Sequence, residues 1–248
     1  MTGLRVVLIA CLVGLCGSAW AAAPTIPAGG RIGIIDMVSS DVTHFHVGRA
    51  EANSFMRTYR GNWVAADLID DPLIASLNGA GFQPVAIAAS EALRKDKRTW
   101  IIEKPRSERL PRGCMKELAR IMKEQNLAAL IVVAPGANSE PEYVDGDRYS
   151  RLPGTLEGFG FSTSDMPIGT TKAGIFDFTQ MVVVAKDGDG AELVARDWGG
   201  NRVYDWPGYD PGPNPKQLSE DQIADLRPVL AEVLKKRIDT RVMPRFKP

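Results

Sequence analysis

The chain holds two histidines, His44 and His46, two positions apart in the stretch IIDMVSSDVTHFHVG, with Asp36 and Asp41 just before them. Alternate residues of an extended strand face one side, so both imidazoles point the same way at a spacing suited to a single metal ion. The two aspartates would complete a set of two nitrogen and two oxygen ligands. In an oxidising compartment without a cysteine cluster, His and Asp are the ligands at hand. The residues therefore predict either a divalent transition-metal site or no cofactor at all. In the second case the pair reads as two polar residues on a partly exposed strand.

A metal-dependent hydrolase built like the amidohydrolases would draw further histidines from later strands, and the chain supplies none. Asp187-Gly188-Asp189-Gly190 has the acidic-glycine look of a calcium loop. It lacks the full ligand series of such a loop and its closing glutamate, and reads as a hairpin turn. Gly158-Phe159-Gly160-Phe161 and Gly199-Gly200 do not have the spacing of a phosphate-binding loop, and no G-x-S-x-G elbow holds a serine nucleophile. Cys114 opens an amphipathic segment with no histidine beside it and reads as a small buried thiol. The sequence assigns no catalytic residue.

Two stretches have the composition of contact surfaces. The segment DWGGNRVYDWPGYDPGPNP sets Trp198, Tyr204, Trp206 and Tyr209 among glycines and prolines. Rings held by stiff turns bind glycans or protein partners, or fold back as a lid on the sheet. Residues 94–112 carry eight Lys/Arg against three Asp/Glu, with Trp100 between Arg98 and Lys104. That stretch reads as a solvated loop able to meet an anionic envelope polymer or an acidic partner.

The compartment follows from the first residues. Arg5 supplies a positive start, Val6 to Leu15 a short apolar run, and Ala19-Trp20-Ala21 a small-residue cleavage site. These are the three parts of a secretory signal. The run is shorter than the about 20 apolar residues that a bilayer span needs. Leu8-Ile9-Ala10-Cys11 has a lipobox look, but the apolar run before it is too short. Leu15-Cys16 lacks a small residue before the cysteine, so lipid anchoring is disfavoured. Residues 1–21 are read as a cleavable signal peptide, 22–30 as a flexible lead-in, and 31–248 as a single domain in the periplasm.

Cleavage removes Cys11 and Cys16 and leaves Cys114 alone, which excludes an internal disulfide. About 227 residues remain, enough for a sizeable core. The whole chain is 44% hydrophobic and 24% charged, a globular balance, with no net formal charge. Nothing in that balance favours nucleic acid, and no later stretch is apolar enough for a transmembrane segment.

The elements that must position these residues follow from periodicity. Residues 31–38 (RIGIIDMV) form a near-continuous apolar run, as in a strand covered on both faces. Residues 42–47 make a second extended piece, and 48–62 are expected to be irregular. Residues 63–80 read as helical, restarting at Pro72 with Asp70 or Asp71 as cap, and 83–87 as a short buried strand. Met115, Leu118, Ala119 and Met122 mark an amphipathic helix over 113–125, and 129–134 (ALIVVA) a buried strand. Antiparallel strands are expected at 158–162, 175–186 and 192–198, with Phe176, Phe178, Val182 and Val184 on one face of the middle one. Ser219 and Gln222 form a capping box for a last helix with Ile223, Leu226, Leu230 and Val233 as its inner stripe. Pro228 marks a kink in it or a later start. The order β-α-β-α-β, then an antiparallel meander, then a C-terminal helix, predicts an α/β (α+β mixed sheet) fold.

The RIGIID strand, the DDPLIASLNGAGFQPVAI helix–strand unit, the LAALIVVAP strand and the FTQMVVVAKDGDGAELVARDW hairpin together resemble a family. It is that of the periplasmic α/β domains of the curli-secretion and TolB amino-terminal type. The resemblance implies a role in envelope assembly or recognition rather than catalysis. The paired amphipathic membrane hairpins of the curli channel have no counterpart, so no pore is implied. The expectation is an exported, non-catalytic binding or envelope-assembly domain whose partner is an envelope protein or a cell-wall component. The alternative is a metal-binding protein or metal-dependent hydrolase centred on His44 and His46.

Overall fold

The computed structural model describes residues 26–39, 41–48, 53–59, 66–95, 110–138, 156–164, 172–198, 203–205 and 219–246, which form ten strands and four helices. Strand β1 (Arg31–Asp36) is the first apolar run, and Ile32, Ile34 and Ile35 are buried in it. It lies between β4 (Gln83–Ala86) and β5 (Ala129–Pro135), parallel to both. A π-type turn at Ala66–Asp70 leads into α1 (Asp71–Gly79). Pro72 sits in its first turn, where a missing N–H costs no helical bond. Helices α2 (Glu91–Lys95) and α3 (Arg112–Glu124) carry the chain back across β1 to β5. Two crossovers of one hand that run in opposite directions put their helices on opposite faces. Accordingly Leu73 and Leu77 of α1 pack into one core cluster, and Leu118, Ile121 and Met122 of α3 into the other.

The long strand β8 (Lys172–Asp187) joins everything else. Its C-terminal half lies between β5 and β9 (Gly190–Trp198), antiparallel to both. Its N-terminal half lies between β7 (Leu156–Ser164) and β10 (Val203–Asp205), again antiparallel. β5 and β7 meet end to end beside β6 (Ala137–Asn138), where the Gly158 N–H donates to the Gly136 carbonyl at 3.3 Å. Beyond β7, β2 (Val42–Val47) adds parallel to it and β3 (Phe55–Tyr59) antiparallel to β2. The result is a mixed α+β sheet of order β3-β2-β7-β8-β5-β1-β4, with β9 and β10 on the other edge of β8. The turn between β8 and β9 is the Asp-Gly-Asp-Gly segment. Gly188 has φ +53° at the first turn position, where a tight hairpin favours glycine.

Three elements differ from the sequence reading. Residues 55–59 form a strand within the stretch expected to be irregular. Met56, Arg57 and Thr58 are all exposed, so this edge strand has no apolar period to read and is made by pairing with β2. β4 is half-exposed rather than buried, because it ends the sheet and pairs only with β1. The last helix, α4 (Glu220–Arg237), does open on the Ser219–Gln222 capping box and runs through Pro228. Its buried stripe, however, is Leu226, Leu230 and Leu234, with Val233 only half-buried. Cys114 is buried at the start of α3, and Val182 and Val184 share the face covered by α3.

Candidate functional site

β2 directs His44 and His46 to the same side, and both are fully buried. The parallel register sets His46 beside Thr163 of β7. The Thr163 Oγ1 lies 2.8 Å from His44 Nε2 and 2.8 Å from His46 Nδ1. A hydroxyl has one proton and two lone pairs, so it donates to one imidazole and accepts an N–H from the other. His44 stacks on Phe161 at 4.4 Å between ring centroids and meets Phe55 edge-on at 5.0 Å, while His46 stacks on Phe55. Burial, then the charges of His46 and Arg57, push the His44 pKa down to about 3. β2 and β7 can close on each other because residue 160 is glycine. A Cβ there would stand 2.1 Å from the Thr43 carbonyl oxygen and 2.2 Å from the Phe176 ring.

The set of four metal ligands expected from the sequence is not assembled. The two rings share a side, as their spacing implies, but each turns a nitrogen to Thr163. Asp36 ends β1, with β5, β8 and β7 lying between it and β2 in the strand order. Asp41 precedes β2, and its N–H donates to Ser39 Oγ at 3.1 Å. Among the described residues no group of three or more His, Cys, Asp or Glu is placed to hold a metal ion. The two histidines are joined through Thr163, and His44 Nδ1 is buried with no hydrogen-bond partner among the described residues.

Asp36 belongs instead with Asp70, a residue that the sequence reading treated only as a helix cap. Asp70 makes no side-chain cap bond, and its Oδ1 is buried without a hydrogen-bond partner among the described residues. Burial, then the neighbouring charges of Asp36 and Asp71, push the Asp70 pKa up to about 7. Asp36 is also raised, chiefly by burial, although its Oδ1 accepts the Val38 N–H at 2.8 Å. The two carboxyls stand at the C-terminal end of β1. There the crossovers to β4 and β5 leave in opposite directions, the place where open α/β sheets form a crevice.

A third arrangement surrounds β9. Along one side β9 is bonded to β8, and no described strand or backbone group is bonded to its other side. A groove of about 640 Å³ follows that open edge. Leu193, Val194 and Ala195 form its floor, and Leu110 and Met115 one wall. Arg241 and Arg245, on the turns Ile238–Val242 and Met243–Phe246, form the other. Val194 is a bulged residue between the pairs Val183–Ala195 and Val184–Leu193, and a bulge of this kind adds twist to an edge.

The strand carrying this edge is fixed from behind by Arg237, the last residue of α4. Its Nε donates to Asp197 Oδ2 at 2.6 Å, and its Nη1 to Asp177 Oδ2 at 2.7 Å and Thr179 Oγ1 at 2.8 Å. Its Nη2 donates to the carbonyls of Thr179 and Asp197, both at 3.0 Å. All five guanidinium protons are thus engaged in a fork across β8 and β9. On the other face, Arg196 donates through Nε and Nη2 to Gln180 Oε1.

Sequence reasoning missed Thr163, Asp70, Arg237, Arg241 and Arg245. Arg237 left a signal, since it continues the apolar stripe one turn beyond Leu230 and Leu234. A charge on such a stripe calls for a buried partner. Arg241 and Arg245 are four apart and so share a helical face. For the aromatic segment, β9 and β10 place the backbones of Trp198 and Tyr204. Their side chains, together with Trp206 and Tyr209, lie outside the described residues. No family model matches the chain, and neither the curated proteins nor the solved structures contain a match.

Proposed function

We propose that the chain is an exported binding domain that recognises an extended segment of a partner protein by adding it as a strand to the open edge of β9. The observation that carries this reading is the groove along β9, with Leu193, Val194 and Ala195 in its floor and an edge of the strand that no described strand pairs. Strand addition uses that combination: main-chain bonds give affinity, and flanking pockets select side chains. The fork of Arg237 supports it, since β9, tied through Asp197 to the same guanidinium that holds Asp177 and Thr179 of β8, needs little reordering on binding. The signal-like leader supports an encounter in the periplasm, and the resemblance of the strand and helix segments to envelope domains of the TolB amino-terminal type supports an envelope protein as partner. No helix among the described residues is long and apolar enough to cross a membrane.

A peptide library as long as β9, nine residues, selected on the purified protein, tests the reading. Hydrogen exchange with the best binder should slow at the amides of β9. Protection confined to β2 and β3, or absent, would remove the proposal.

A further inference from the structure

We infer that the segment bound along β9 is acidic; the inference rests on the edge-binding reading above and names the chemistry of its occupant. The groove carries Arg241 and Arg245 on the α4 side of the sheet. It shares Leu110, Met115 and Ala191 with a second hollow of about 580 Å³, whose rim includes Arg112, Lys116 and Lys123 of α3. No ion pair among the described residues involves any of these five cations. Among the described lining residues only Glu192 and Asp189 stand against them, because the Asp197 carboxylate is held by Arg237. Arg120, on the same rim, is already bonded to Glu117 and Glu124.

The two rims lie on opposite faces of the sheet, since α3 and α4 contribute to opposite core clusters. Side chains of an added strand alternate between faces. Consecutive acidic residues would therefore reach Arg241 and Arg245 on one side and Arg112 and Lys116 on the other. An anionic polysaccharide would meet the cations but leave the outward N–H and C=O groups of β9 unpaired. A second copy of β9 would bring Glu192 together with Arg196, and so would not neutralise the rim.

The probes are a nine-residue glutamate–valine peptide matched in length to β9, its glutamine–valine counterpart, and the glutamate peptide N-methylated at every backbone amide, which blocks both strand edges. Binding is read by fluorescence anisotropy. The glutamate peptide should bind about tenfold more tightly than the glutamine one, as two exposed ion pairs would give. The variant lacking both rims, Arg241→Ala, Arg245→Ala, Arg112→Ala and Lys116→Ala, should erase most of that difference while leaving the glutamine peptide as before. All four side chains are exposed, and a thermal melt checks that the variant is folded.

Equal binding of the two plain peptides, or undiminished binding of the glutamate peptide by the variant, would overturn the inference while leaving edge binding intact. If neither plain peptide binds, both readings fall. Undiminished binding of the N-methylated peptide would make the occupant a simple polyanion. A concentration-dependent dimer dissolved by the glutamate peptide would make it a second copy. Either result would also overturn the inference.

Discussion

From Thr179 to Ala185, β8 runs between β5 and β9 and buries Met181, Val182, Val183, Val184 and Ala185. From Lys172 to Phe178 it runs between β7 and β10, and the layer built out from β7 buries His44, His46 and Thr163 among phenyl rings. One strand thus serves two kinds of interior. The first is aliphatic and non-directional, its stability set by apolar area whatever the pH. The second depends on a single hydroxyl bridging two imidazoles, a network that loses its geometry when His44 changes charge. Between the two lie Asp177 and Thr179, both buried and both bonded to Arg237. The seam between unlike interiors is where the molecule places its one buried guanidinium among the described residues.

Cutting that seam should have the largest effect. Arg237→Met removes the fork and leaves Asp177, 3% exposed, as an uncompensated buried charge. Removing one partner of such a pair costs about 3–5 kcal/mol. Urea unfolding at neutral pH should show a loss of that size, and adding Asp177→Asn should restore part of it. A loss below about 1 kcal/mol, the scale of a surface pair, would mean that the two halves hold together without the clasp.

The aliphatic half was largely legible in the sequence. RIGIID and ALIVVAP are apolar runs too short for helices, and the 3.6-residue period of α3 and the DGDG turn are local signals. The polar half was legible only in part. The alternation of His44 and His46 showed that they share a face. Their bridging residue, however, lies 117 positions after His46, and spacing within one segment carries no information about the neighbour in a parallel pair. The same limit hid Asp70. Within the sequence it is a helix-start residue, and it becomes a perturbed carboxyl because folding buries it and sets Asp36, at the end of β1, beside it. The strand β3 was invisible for a different reason. Exposed on most of its length, it takes its structure from β2 rather than from its own pattern.

Acid should separate the two halves next. The His44 pKa is lowered from 6.5 to about 3. The stability due to its neutral form is therefore fully present above pH 6.5 and lost as pH falls towards 3. A tenfold change in proton affinity is worth about 1.4 kcal/mol, so the loss approaches about 4 kcal/mol by pH 3. His44→Phe keeps the stack on Phe161 and has nothing to protonate. Its stability should lie within about 1 kcal/mol of the wild type at pH 7 and fall less steeply in acid. Parallel acid limbs for the two proteins would show that the buried imidazole is not the acid-sensitive part.

The carboxyls at the end of β1 should respond in the opposite sense, and more weakly. Asp70 has its pKa raised from 3.8 to about 7. Its contribution is complete below pH 3.8 and lost as pH rises through 7, where the ionised group faces burial and the charge of Asp36. For a fully buried carboxyl such a change would correspond to about 4 kcal/mol. Asp70 is only half-buried, and solvent screening reduces this to about 2 kcal/mol. Asp70→Asn should match the wild type near pH 4 and exceed it by about that amount above pH 7. Asp36→Asn keeps an oxygen for the Val38 N–H but removes the like charge, so it should move the Asp70 transition to lower pH. Urea midpoints across pH 4–8 for the three proteins measure both effects. If Asp36→Asn leaves the transition in place, desolvation and the Asp71 charge raise Asp70 without Asp36. The two carboxyls would then be separate groups on one crevice rather than a coupled pair.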